Sequence, residues 1–237
     1  MFKKFGVDNF SLKEQVKRKQ FREKYKKRKE PANYNGHKYS DYIDFLNQNP
    51  GISAVEMDTV YNQQSGPYIQ TFMFPEIQFM VGRIHKEKTS ESMASTLNDY
   101  QEKLGNELFS RLFNLLLTDR GSEFEKVSLF EHGVDGNHRL NIFYCDAMQS
   151  AQKPHVENNH NYVRDIIPNG KPLDKLTQDN INTMFSHINS TPRKSLHGKT
   201  PYELFVFYFG RDAADILGIN EIPKDDVVLN PSLIFVK

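Results

Sequence analysis

The chain has 237 residues, 38% hydrophobic and 26% charged, enough for one medium domain with a sizeable core plus appendages. No apolar run approaches the roughly 18 residues of a membrane span, and Met1-Phe2-Lys3-Lys4 opens no signal peptide, so a cytoplasmic, nucleoid-associated location is expected. The net charge of +1 hides a split: residues 1–30 hold 12 Lys/Arg against 4 Asp/Glu (+8), and the remainder holds 19 against 26 (−7).

A basic arm on an acidic body suits an arm that meets phosphates and a body that holds cations, although a Lys-rich helix is also an ordinary solvated face. Ser11-Leu12-Lys13-Glu14 fits a capping box, and Gln15 to Lys29 contains no Gly or Pro. Its apolar residues are sparse, so the predicted arm helix has little core to join. Lys26, Lys27 and Arg28 are its candidate DNA contacts. Pro31 to Gly36 breaks the pattern. Ser40 is expected to cap a short helix from Asp41 to Asn47, ended by Asn49-Pro50-Gly51.

Residues 54–62, 67–74 and 77–85 read as three consecutive strands, with turns at Ser65-Gly66-Pro67 and Pro75-Glu76. Thr89 to Leu104 reads as a helix stopped by Gly105. Phe113 to Leu117 is the fourth strand, an unbroken apolar run typical of burial on both faces. Leu140 to Tyr144 is the fifth, followed by Cys145-Asp146. Further helices are predicted over 155–167, 177–189 and 201–209. The pattern alone specifies mixed α/β. The single Cys145 excludes an internal disulfide and a zinc site built on paired cysteines, and is expected to be a buried, inert thiol.

Three carboxylates stand out. Asp58 lies midway along the first strand, Asp119 follows the fourth, and Glu157 falls in the first turn of a helix that begins after Pro154. Asp is disfavoured inside strands, and a buried unpaired carboxylate is costly, so a cation is its natural partner. Each has a plainer reading: a solvated strand residue, a turn residue ahead of Gly121, and a helix-capping acid. Asp146, Asp165 and Glu123 compete with Glu157.

The segments Glu-Met-Asp-Thr (56–59), Leu-Thr-Asp-Arg-Gly-Ser-Glu-Phe (117–124), Phe-Tyr-Cys-Asp (143–146) and Pro-His-Val-Glu-Asn-Asn-His (154–160) occur in one order on compatible elements. Together they resemble the catalytic core of DDE transposases, in particular bacterial insertion-sequence transposases of the IS-thirty type, relatives of retroviral integrases. The resemblance extends from about Tyr34 to Val236. It implies a ribonuclease-H-like fold, the retroviral integrase catalytic core, with a mixed five-stranded sheet flanked by helices and preceded here by the basic helical arm. The implied organisation is an arm over 1–35, a core over 36–210 and a tail over 211–237. Family members carry a helix-turn-helix region ahead of the core, for which the sequence before Tyr34 offers no room.

The implied chemistry is DNA strand cleavage and strand transfer with two Mg²⁺ ions, or Mn²⁺ in their place. Asp58 would bridge them, with Asp119 and Glu157 completing one site each. The implied partners are the element's terminal inverted repeats and target DNA, with at least a dimer assembled on them. Glu56 shares strand parity with Asp58, and Asn161 and Arg164 lie at i+4 and i+7 from Glu157; Glu56, Asn161 and Arg120 are candidates to support the ligands from behind. Arg164 matches a basic position of the family motif and is a candidate phosphate contact. So are Arg193, Lys194 and Lys199, in the loop ahead of the capped helix start Thr200-Pro201-Tyr202-Glu203. His155 and His160 are five apart, a poor spacing for one metal, and read as surface or DNA-facing.

This sequence departs from the family at Arg120 (usually Asn), Pro154 (usually Gly) and Ala151 (usually Trp). Arg120 could pair with Asp119 and weaken metal binding, or hold a phosphate. Two other readings therefore stay open: a catalytically idle DNA-binding fragment, and a ribonuclease-H-like nuclease without strand transfer.

Overall fold

The computed structural model describes residues 34–235. The basic arm, with Lys26, Lys27 and Arg28, lies outside the described residues, as does the side chain of Glu157. The aromatic and β-branched runs form β1 (Val55–Tyr61), β2 (Tyr68–Phe74) and β3 (Phe79–His85) as an antiparallel meander. Two short apolar runs form β4 (Leu115–Thr118) and β5 (Asn141–Tyr144), parallel to β1 in the order β3-β2-β1-β4-β5. An antiparallel meander whose first strand continues into parallel neighbours is the order of the ribonuclease-H-like fold, as the sequence reading expects.

Every residue of β2 is buried, consistent with its position inside the sheet and its cover on both faces. On one face Phe72 meets Tyr100 and Phe113 at ring distances of 6.0 and 5.5 Å. Tyr100 belongs to α2 (Ser90–Leu112), which Thr89 caps by accepting the Ser92 N–H. The helix does not stop at Gly105. It breaks there, at φ 74° and ψ 158°, a conformation glycine alone adopts cheaply, and resumes to bury Phe109 and Leu112. The short α3 (Val127–Glu131) buries Val127 and Phe130.

The opposite face carries Glu56, Asp58, Thr71 and Gly82, the last three aligned across the meander by its register. Helices α4 (Pro154–Ile166) and α5 (Gln178–Asn189) cover it. In α5, Ile181, Met184, Phe185 and Ile188 follow the i, i+3, i+4, i+7 pattern and are fully buried. Toward β4 and β5, α1 (Tyr39–Gln48) closes a smaller cluster with Leu115, Leu117, Phe143 and Cys145. It starts one residue before the expected cap, because the Asp41 carboxylate accepts the Lys38 N–H at 2.8 Å. Burial pushes the Cys145 thiol up to about 12 and keeps it inert.

Beyond the sheet, α6 (Pro201–Phe209) opens with the expected capping box of Thr200 and Glu203 and stacks Phe205 on Phe79 at 3.9 Å. Helix α7 (Arg211–Ile216) follows, and Ala213, Ala214, Leu217 and Ile219 are buried with the main core. Among the described residues no helix is long and apolar enough to cross a membrane.

Candidate metal and DNA-processing site

Asp58 and Asp119 converge on one nitrogen. The parallel pairing of β1 with β4 places Glu56 beside Leu117, so Asp58 and Asp119, each two residues further along, stay on the same face. The ammonium of Lys153 lies 3.1 Å from Asp58 Oδ2 and 3.4 Å from Asp119 Oδ2, and 3.4 Å from the Met57 carbonyl oxygen. Lys153 is only 4% exposed. Burial alone would lower its pKa, but Asp58 and Asp119 outweigh that and hold it above the ordinary lysine value. The pocket is thus built for positive charge, and at present an ammonium supplies it.

The other oxygens are held by the backbone. Asp58 Oδ1 accepts the Thr59 N–H at 2.7 Å, and Asp119 Oδ1 accepts the Gly121 N–H at 2.9 Å. Each acid therefore turns its Oδ2 toward the shared cation. Gly121 leaves room for these carboxylates: a Cβ there would meet Glu123 Oε2 at 2.5 Å and Asp119 Oδ1 at 3.0 Å, and one or both side chains would have to shift. Glu123 is buried, with Lys88 at 3.0 Å from Oε1.

Lys153 directly precedes α4, whose first residue is Pro154, so Glu157 falls in the first turn of the helix. Glu56, buried at 4% exposure, anchors that helix start: Oε2 accepts the Val156 N–H at 2.7 Å, and Oε1 meets His155 Nδ1 at 2.8 Å. A carboxylate at a helix N-terminus also answers the helix dipole. Glu56 thus fixes the start of α4 against β1. His160 is half-buried. It bonds Thr71 Oγ1 at 3.1 Å, and burial pushes its imidazole down to about 4 against the pull of Asp58. It is neutral at pH 7, so its 3.9 Å approach to Asp58 is no ion pair.

Hard carboxylate oxygens around a buried cation fit Mg²⁺ or Mn²⁺. Among the described residues no three His, Cys, Asp or Glu side chains stand close enough to hold a metal; the third carboxylate expected there is that of Glu157. Arg120 reaches across to β5, donating from Nε to the Cys145 carbonyl at 3.0 Å and from Nη2 to Asp146 Oδ1 at 3.1 Å. Arg164 donates to Asn62 Oδ1 at 2.5 Å, tying α4 to the end of β1. Asn161 lies one turn beyond Glu157, on an exposed position of α4.

The loop ahead of α6 divides its cations. Lys194 and Lys199 are exposed, whereas Arg193 is buried, with its guanidinium 3.8 Å over the Tyr162 ring and Nη2 donating to the Ile188 carbonyl at 3.1 Å. Arg193 is thus spent on packing α4 against the end of α5 and does not face phosphates. Lys153, which the sequence reading passed over, is the larger surprise. Its one signal is position, four residues ahead of Glu157 and immediately before the proline that starts the helix.

The sequence is 28% identical over 94 residues to the transposase of insertion sequence element IS4351 from Bacteroides fragilis, covering 40% of this chain and 28% of that protein. It is likewise 28% identical over 117 residues to transposase InsI of insertion sequence element IS30A from Escherichia coli (strain K12), covering 49% and 28%. Over part of its length the chain is thus similar to insertion-sequence transposases. Each of these matches spans 28% of the transposase's length. No family model matches the sequence. Among solved structures, the catalytic core domain of BIV integrase aligns with a TM-score of 0.42 and 15% identity, over 65% of this chain and 94% of that one.

Proposed function

We propose that this chain is a transposase catalytic core that cuts DNA at element ends and joins the freed 3′-hydroxyl to a target strand. The observation that carries the reading is the convergence of Asp58, midway along β1, and Asp119, just past the carboxyl end of parallel β4, on one buried cation; the carboxyl end of a parallel strand is where open α/β sheets bind ligands. Asp58, Asp119 and Glu157 would hold the divalent ions. When bound, Mg²⁺ supplies charge neutralisation at the reacting phosphorus and acidifies the attacking hydroxyl.

The chain's own groups orient and position. The Thr59 and Gly121 amides fix the rotation of the two aspartates, and Glu56 fixes the start of the helix that carries Glu157. Both steps are in-line displacements at phosphorus. In the first, water bonds to phosphorus and the 3′-oxygen leaves; in the second, that 3′-hydroxyl bonds to a target phosphorus and the target's own 3′-oxygen leaves. No covalent protein intermediate is formed. Arg164, Lys194 and Lys199 are the proposed phosphate contacts, and DNA bearing the element's ends is the proposed partner, bound by at least two copies of the chain.

The test is strand transfer with purified protein, Mg²⁺ or Mn²⁺, and a pre-nicked duplex ending in the repeats that flank the gene. Joined product that disappears in Asp119→Ala supports the reading. Cleavage without joining favours a plain nuclease, and DNA binding without either reaction favours an idle fragment.

A further inference from the structure

The buried ammonium of Lys153 occupies the place that a divalent cation needs. Its Nζ contacts the Oδ2 atoms of both aspartates, and those oxygens are the ones left free by the backbone. The Met57 carbonyl gives it a third acceptor. A divalent ion bound between the same two oxygens would lie against a fixed positive charge and be repelled by it. The two cations would therefore compete for the same oxygens.

We propose that Lys153 is a built-in competitor of the catalytic cation: it holds the Asp58–Asp119 pair together in the metal-free protein and must swing out before metal enters. This inference rests on the reading of Asp58 and Asp119 as metal ligands. The apparent affinity for metal is then the intrinsic affinity reduced by the fraction of molecules whose ammonium has left. The same contact steadies the metal-free fold, because without it the half-buried Asp58 and the more exposed Asp119 would face each other with their like charges uncompensated.

The experiment is Mn²⁺ binding to the full chain without DNA, by calorimetry or by the spin resonance of free Mn²⁺, for wild type, Lys153→Met and Asp58→Asn. The competitor role predicts that Lys153→Met binds Mn²⁺ at least roughly tenfold more tightly than wild type, that Asp58→Asn abolishes this binding, and that Lys153→Met melts lower than wild type in EDTA but recovers in Mn²⁺. Equal or weaker binding by Lys153→Met, with Asp58→Asn still abolishing it, overturns the competitor role and leaves the metal site standing. Absence of any Asp58-dependent binding overturns the metal site and the competitor with it. Should Lys153→Met fail to fold, acetylation of the wild-type protein followed by mass spectrometry decides: Lys153 should react far more slowly than exposed Lys194 without metal and severalfold faster with Mn²⁺. Unchanged reactivity contradicts the proposal.

Discussion

Glu56 accepts the backbone N–H of Val156 at 2.7 Å, bridging a strand and a helix that are a hundred residues apart in sequence. The bond ties the strand bearing Asp58 to the first turn of the helix bearing Glu157, so the two acids share one rigid support. Glu56→Ala should cost about 1–3 kcal/mol, as a buried N–H loses its acceptor, and should depress strand transfer further than that loss of folded protein explains. Glu56→Gln retains an oxygen for Val156 and should recover most of the stability, as urea denaturation will measure.

Gly82 faces α5 with no room to spare, because a Cβ there would overlap the ring of fully buried Phe185. Gly82→Ala is expected to destabilise by about 1–3 kcal/mol through overpacking. A second change, Phe185→Leu, should relieve part of that loss. Thermal melts of the three variants check the coupling.

His85 should make stability depend on pH. It is buried against Ser92, Gln70 and Thr96, and burial, helped by Arg83, pushes its imidazole down to about 4 from the usual 6.5. The unfolded chain then binds more protons than the native one between these values, so stability is full above about pH 6.5 and falls as pH drops toward 4, by up to about 1.4 kcal/mol per pH unit for this one histidine. His160, pushed down to about 4 as well, adds in the same direction. Urea titrations at pH 7, 6 and 5 should show the decline, and His85→Gln should reduce its slope.

The division of cations in the loop ahead of α6 gives a salt test. Lys194→Ala and Lys199→Ala should each lower the slope of log K against log salt for duplex DNA by roughly 0.9, one phosphate each, with folding intact. Arg193→Ala should instead lower the melting temperature, since its guanidinium packs on Tyr162 inside the body.

Much of the fold is legible in the sequence because its strands are apolar runs bounded by Gly and Pro, and its helices carry clear starts at Thr89, Pro154, Thr177 and Thr200. What escaped is what depends on tertiary meeting. Gly105 looks like a helix end, yet the chain resumes helically because Phe109 and Leu112 find the core. Helices α3 and α7 are too short to show a period. The pairing of Asp58 with Asp119 follows from two strands and a motif, but nothing marks Lys153 until β1, β4 and the start of α4 are brought together. Arg193 is hidden for the same reason, by Tyr162 thirty-one residues earlier.

The most direct test of the account is anomalous diffraction from crystals of the protein grown with Mn²⁺. The account predicts a peak within coordination distance of Asp58 and Asp119, close to where the Lys153 ammonium now sits, with that ammonium displaced. Saturating Mn²⁺ with no peak between the two aspartates, and Lys153 still bridging them, would contradict it.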